Sequence, residues 1–243
     1  MLSVELVPSS SETLRRNAAY VASFPSVQHI NIPDLARFPL RSWGACALCM
    51  NERVGIIPHI PATRLDVTHL VPLVRTIHVC TDTALVVSGD VPNGMNQRTF
   101  ATTIFDVLDA FRSEAPAMHV YAALDPYRHS MRDELAYAET KLRKGFTGFF
   151  TQPMFDIALA RAYQHHLSPA PIFWGLAPVI SDGAVSYWCD RNNICFPRSF
   201  SATIEWNVAF GRDFLAYVRE ENQHCYVMPI RVPLAEYLPL LLA

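Results

Sequence analysis

The chain has 243 residues, of which 51 % are hydrophobic and only 17 % charged, and its formal net charge is −2. That balance describes a folded chain with extensive burial and argues against intrinsic disorder. With no basic surplus to meet a phosphate backbone, nucleic acid is not an expected partner. The 20 basic residues include only two lysines, Lys141 and Lys144. The N-terminus lacks a basic stretch followed by a long apolar run, so no signal peptide is expected. No run of about 18 apolar residues suggests a membrane helix. Six scattered cysteines suit a reducing compartment, and the cytoplasm is the expected location.

The first strand reads SVELV (3–7), with Glu5 set among apolar neighbours. A carboxylate there loses hydration, which costs several kcal/mol unless it is paired, neutralised or used. SSETLRRNAAYVAS follows as a helix, with Ser10 or Ser11 as its cap and Leu14, Ala18, Val21 and Ala22 on one face. VQHINI (27–32) is a second strand, carrying His29 as a core residue and running into Asp34. CALC (46–49) lacks the second cysteine pair of a tetrahedral zinc site and reads as two buried thiols on a helix. VGIIPH (54–59) ends in His59, and Asp66 caps a helix over DVTHLVPLVRTIHV. ALVVSG (84–89) brings Ser88 and Gly89 to Asp90; QRTFATTIFDVLDAFRSEA reads as the helix after it. MHVYAAL (118–124) leads to Asp125, Tyr127 and His129. RDELAYAETKLRKG has acids early, bases late and Gly145 as a stop, which complements the helix dipole. TGFFTQ (147–152) ends in Thr151 and Gln152, and the helix DIALARAYQHHL ends on a histidine pair that suits the terminal carbonyls. PIFWGL (171–176) contributes Phe173 and Trp174 to packing. SATIEWNVAFGRDFLAYVREEN is helical, HCYVMPI (224–230) leads to Arg231, and LPLLLA closes the chain as a helix.

Eight strands alternating with helices over about 250 residues predict a closed (β/α)8 TIM barrel, one domain over residues 1–243. An open doubly wound sheet is the alternative, but it normally carries a glycine-rich turn after its first strand. Here that turn is PSSSE. In a barrel the chemistry sits at the C-terminal ends of the strands, which collects Glu5, Asp34, His59, Asp90, Asp125, Gln152 and Arg231. No lysine is among them, which excludes a Schiff-base mechanism. The first strand also lacks the His-x-His pair of a barrel metallohydrolase. Asp34 and Asp125 equally suit loop capping, and Glu5, Asp90 and Gln152 equally suit a buried polar network. Their joint placement on one face favours function.

Six segments, in order, resemble the methylenetetrahydrofolate reductase family. SVELVPSS is similar to the family's SFEFFPPK, IIPHIPATRLD to PHLTC, and ALVVSGDVPNG to ALRGDLPPG. AETKLRKGFTGFFTQPMFD is similar to LKRKVDAGADFIITQFFFD, WGLAPVIS to PGILPVSN, and HCYVMPIRVPLAE to FHFYTLNRAE. The departures are local. Ser88 replaces the family's arginine before Gly-Asp, YAALDPYRHSMR alters the segment around Tyr127 and His129, and NIPD stands where many members have Thr-Tyr-Gly. The pterin end looks retained and the flavin end altered.

The resemblance implies a (β/α)8 barrel that interconverts 5,10-methylenetetrahydrofolate and 5-methyltetrahydrofolate by hydride transfer from NADH or NADPH, through FAD or directly. Glu5 is the candidate general acid that opens the imidazolidine ring. Burial would hold its proton near neutral pH. Asp90 would stabilise the iminium charge and bind the pterin, with Gln152 and Arg231 as further substrate contacts. His59, Ser88, Gly89, Tyr127, His129 and Lys144 fall at the positions expected to hold the cofactor. A loop arginine, Arg37, Arg41 or Arg64, suits the carboxylate of the folate tail. Two other classes stay open. One is a metal-dependent barrel lyase or hydrolase with Glu5, His59 and Asp90 as ligands. The other is a folate-binding barrel without turnover.

Overall fold

The strands of the computed structural model occupy Leu2–Glu5 (β1), His29–Ile32 (β2), Gly55–Pro61 (β3), Thr83–Val87 (β4), His119–Leu124 (β5), Phe149–Pro153 (β6), Ile172–Leu176 (β7) and His224–Val227 (β8). They close into a parallel barrel in sequence order, β1 to β8. The expected (β/α)8 fold is therefore present. The helices are Ser11–Ala22 (α1), Ser42–Cys49 (α2), Leu70–Cys80 (α3), Ile104–Glu114 (α4), Met131–Lys144 (α5), Ile157–Leu167 (α6), Asp182–Asn192 (α7), Ile204–Glu220 (α8) and Leu234–Leu242 (α9). The structure describes residues 1–50, 52–89 and 98–243. Among the described residues no helix is long and apolar enough to cross a membrane. All six cysteines are free, and Cys46 and Cys49 lie buried on α2.

Several boundaries move, each for a local reason. α4 begins at Ile104 rather than near residue 97, because Thr103 and Asp106 form a reciprocal cap. Thr103 Oγ1 accepts the Asp106 N–H at 3.2 Å, and the Asp106 carboxylate accepts the Thr103 N–H at 2.7 Å. α7 is absent from the sequence reading because its apolar pattern is faint. Trp188 is its one buried residue, and the helix is defined by its ends, a Ser181 cap and Asn193 at φ 54°. β1 stops at Glu5 and β8 stops at Val227, so Glu5 ends its strand and Arg231 lies beyond one.

By internal contacts the chain divides into two compact units. One holds Glu5–Ala123 and Leu142–Gly148. In it β2, β3, β4 and β5 pair in parallel, with Asn31 opposite Ile57 and His59 opposite Leu85. Its core is β-branched and aliphatic, built from Ile30, Ile32, Ile57, Ile60, Val86 and Val120. Such side chains fill strands that are covered on both faces.

The other unit holds Met1–Val4, Leu124–Lys141 and Phe149–Ala243. Its core is aromatic. Phe150 stacks on Phe173 at 4.1 Å and meets Tyr226 edge-on at 5.3 Å, and Trp174 is fully buried, so Phe173 and Trp174 pack as expected. The register of β6 against β7 shifts between Phe150 and Pro153, a bulge that spans Thr151 and Gln152. Gly175 makes room for it. A Cβ there would lie 2.7 Å from the Thr151 and Gln152 carbonyl oxygens and from Met228 Cε. The Thr151 hydroxyl then accepts the Gly175 N–H at 2.8 Å, closing the gap that the bulge opens.

Candidate functional site

Glu5 is half-buried at the C-terminal end of β1, the end at which barrel enzymes carry their chemistry. It is not the fully enclosed mid-strand acid that its apolar neighbours suggest. Across β2 and β3 in the same unit, the Asn31 amide nitrogen lies 3.0 Å from His59 Nε2, and both residues are buried. An amide N–H donates, so Nε2 accepts and the ring proton sits on Nδ1. Burial drives the His59 pKa down to about 3, which keeps the ring neutral at any physiological pH. The His59 carbonyl accepts the Ser42 hydroxyl at 2.6 Å and ties β3 to α2. With Nε2 engaged, His59 is poorly suited to the metal-ligand role of the lyase reading. Among the described residues no three His, Cys, Asp or Glu side chains are grouped to hold a metal ion.

Asp34 follows β2 and caps α2. Its Oδ2 accepts the Ser42 N–H at 3.1 Å, while Oδ1 faces Arg41 at 2.8 Å and Arg64 at 3.4 Å. The loop-capping reading of Asp34 is therefore the structural one. Arg41 and Arg64 are already joined to a carboxylate, whereas the sequence offers them as open cations. Arg37 lies over the Phe38 ring at 5.0 Å. After β4, Ser88 is exposed and its carbonyl accepts the Thr63 N–H at 3.0 Å. Gly89 adopts φ +92°, and a Cβ there would come within 2.6 Å of Thr63 Oγ1. Only glycine meets both conditions. Asp90, the proposed iminium stabiliser, lies outside the described residues.

The aromatic-cored unit places the other candidates. Asp125 follows β5 and accepts the Tyr127 N–H at 3.0 Å, the local turn that an Asp in this position favours. Burial raises its pKa. The Tyr127 hydroxyl donates to the Pro153 carbonyl at 2.9 Å, so it is engaged by the protein. His129 is exposed. Gln152 sits on the β6 bulge, half-buried, and its side-chain amide meets no partner among the described residues. That leaves one donor pair and one acceptor for a ligand edge. Arg231 is exposed on a turn at φ 58°, a conformation uncommon for a non-glycine residue, with its guanidinium 5.7 Å over Tyr187. Lys144, which belongs to the other unit, is exposed at the end of α5 that leads into the start of β6. Strand starts form the opposite face from the chemistry, so Lys144 is not placed for the cofactor role expected of it.

Three polar residues escape the sequence reading. Asn31 hides in the strand HINI, where a lone amide between two isoleucines is the signal. Glu134 and Lys141 lie seven residues apart on α5, two turns, and both face inward. Glu134 is fully buried. It accepts the Asp125 N–H at 3.1 Å and Arg128 Nη2 at 3.2 Å, and lies 4.0 Å from Lys141 Nζ. Burial lowers the Lys141 pKa to about 8, against the opposing pull of Glu134. A cavity of about 850 Å3 opens elsewhere, lined by Arg161, Gln164, His165, Glu221, Gln223 and His224. It lies where α6 ends and β8 begins, away from the strand ends that carry the candidate residues.

No family model matches the chain, and no curated protein matches it by sequence. Solved structures do match in shape. A protein from Clostridium thermocellum, described as uncharacterised and as binding two copies of 5-methyl-5,6,7,8-tetrahydrofolic acid, superposes with a TM-score of 0.72. It is 14 % identical, over 100 % of this chain and 92 % of that one. A 2,3-dimethylmalate lyase of the PEP mutase/isocitrate lyase superfamily superposes at 0.62, with 10 % identity over 98 % of this chain and 77 % of the lyase. Orotidine 5'-phosphate decarboxylase from Pyrococcus horikoshii OT3 superposes at 0.58, with 11 % identity over 99 % and 97 %. These likenesses establish the fold.

Proposed function

We propose that this chain binds a reduced folate and interconverts 5,10-methylenetetrahydrofolate and 5-methyltetrahydrofolate. Two observations together carry the reading. The chain matches, along its whole length, a barrel described as binding 5-methyltetrahydrofolate, and six of its segments resemble methylenetetrahydrofolate reductases in order. The chemistry needs a proton delivered to the departing nitrogen as the folate ring opens, and Glu5 stands at a strand end for that role. Gln152 offers an unengaged amide to the pterin edge. Asp90 and Arg231 complete the proposed substrate contacts.

The side chains named for FAD suit it poorly. Tyr127 is engaged with Pro153, His59 is neutral and held by Asn31, Lys144 lies at the strand-start end, and Ser88 stands in place of an arginine. The reading that follows is direct transfer from NADH or NADPH, with both molecules bound together and the protein supplying position. The fold likeness also favours a second reading, a folate-binding barrel without turnover.

Purified protein should bind 5-methyltetrahydrofolate by calorimetry, lack the visible absorbance of a flavin, and oxidise NADH when given methylenetetrahydrofolate. Binding without oxidation selects the second reading, and the absence of both sinks the first. Glu5→Gln should keep folate binding while turnover falls about 10²-fold or more. Unchanged turnover would remove Glu5 from the mechanism.

A further inference from the structure

The loops after β2 and β3 bring two arginines onto one carboxylate. Asp34 Oδ1 takes Arg41 Nη2 at 2.8 Å and Arg64 Nη1 at 3.4 Å, and Oδ2 takes the Ser42 N–H. Arg64 Nη1 also donates to the Asp34 carbonyl at 3.1 Å. The carboxylate has three partners, and among the described residues the cations keep donors to spare. Each guanidinium carries five N–H donors in a rigid fork. Among the described residues Arg41 places a single contact on Asp34, and Arg64 Nε is buried with no partner.

Charge gives the same answer as donor count. Two guanidinium charges face one carboxylate whose side chain is only 1 % exposed, with Arg64 at 13 % and Arg41 at 34 %. Among the described residues no second carboxylate pairs with either arginine, so one positive charge is left over in a poorly solvated loop, where Coulomb interactions act strongly. Capping α2 requires Asp34 but does not require a second arginine. Arg41 also lies over the Trp43 ring at 4.8 Å, which holds its fork in one orientation. A further cation is near in the chain fold. Arg98 lies over Phe100 at 4.7 Å, and the Phe100 N–H donates to the Thr63 carbonyl beside Arg64 at 2.8 Å.

We infer that Arg41 and Arg64 form an oxyanion subsite, with Asp34 as their positioning residue, that takes a carboxylate or phosphate on a small-molecule ligand. A planar oxyanion matches the guanidinium fork and restores charge balance. The identity of the ligand rests on the folate reading above, under which the group is the glutamate carboxylate of the folate tail.

The test compares 5-methyltetrahydrofolate with its analogue lacking the glutamate, by calorimetry at low salt. Wild-type protein should bind the truncated ligand about tenfold or more weakly, the size of one charge-assisted hydrogen bond. Arg41→Gln, at a third-exposed position, should bind both ligands alike, and Arg64→Met should do the same. Equal binding of both ligands by wild type overturns the subsite and leaves the folate reading standing. A glutamate preference that survives in both variants also overturns it. If neither folate binds, the folate reading fails and the subsite is read separately. Titration with inorganic phosphate or free glutamate should then move the Arg64 Nε–H resonance of nitrogen-labelled protein, identified by its loss in Arg64→Met. A shift with phosphate alone assigns a phosphate ligand, a shift with glutamate assigns a carboxylate, and no shift with either overturns the proposal.

Discussion

Two buried polar groups in this barrel meet desolvation in opposite ways. At β2 and β3 the Asn31–His59 pair is neutral, because burial has driven the His59 pKa to about 3 and the Asn31 amide needs an acceptor. Along α5 and in the turn before it, Glu134, Arg128 and Lys141 are charged groups held together, with Lys141 Nζ also 4.0 Å over the Tyr137 ring. The neutral pair places a hydrogen bond between two strands. The charged group fixes a loop, since Glu134 accepts the Asp125 N–H and Asp125 in turn accepts that of Tyr127. Removing charge is the cheaper way to bury a titratable group, and pairing charges is the way that specifies a single loop geometry. The charged group is architecture that sets where β5 hands over to α5.

Acid should separate the two regions most sharply. The native pKa of His59 lies near 3 and its ordinary value is 6.5, so between them the unfolded chain takes a proton that the native ring refuses. The contribution is complete above pH 6.5 and is lost as pH falls toward 3, by ~5 kcal/mol. Urea unfolding across that range should show this slope, and His59→Gln, which still offers Asn31 an acceptor, should flatten it. A variant with the wild-type slope would place the titration elsewhere. Next in size, Glu134→Gln leaves Lys141 and Arg128 without their carboxylate and should destabilise by ~3–5 kcal/mol. Adding Lys141→Met should recover most of that loss in the same assay. If the double variant is no better than the single one, the region is not governed by charge pairing. The smallest effect is Tyr127→Phe, which removes the bond to the Pro153 carbonyl and should cost ~1 kcal/mol in thermal unfolding. A larger loss, or a loss of cofactor binding, would return Tyr127 to the functional list.

The sequence was most legible where one local rule decides the outcome. Each strand was visible as a short β-branched or aromatic run, and the expected caps Ser10 and Asp66 sit where their helical segments begin. It was least legible at partners. Nothing along the chain joins Asn31 to His59, 28 positions on, or Arg64 to Asp34, 30 positions back. That Arg41 and Arg64 share a carboxylate is invisible along the chain, because Asp34 is their neighbour only in space. Lys144 read as a cofactor contact because a segment alignment carries no information about which end of a helix faces the strand ends. α7 was missed because a helix with one buried residue writes almost no period.

By itself the sequence determined the alternation of eight strands with helices, and so the closed barrel, because strand and helix periods are properties of consecutive residues. It also determined that an acid, Glu5, lies in the first strand region; that the strand stops there was a finding of the structure. Only the tertiary structure decided which polar groups were engaged and which were left open. It bound the Tyr127 hydroxyl to Pro153, left the Gln152 amide without a partner among the described residues on a bulge that Gly175 permits, and placed two arginines on one aspartate. Hydrogen bonds and charge balance depend on distance in space, and that distance is fixed when the barrel closes.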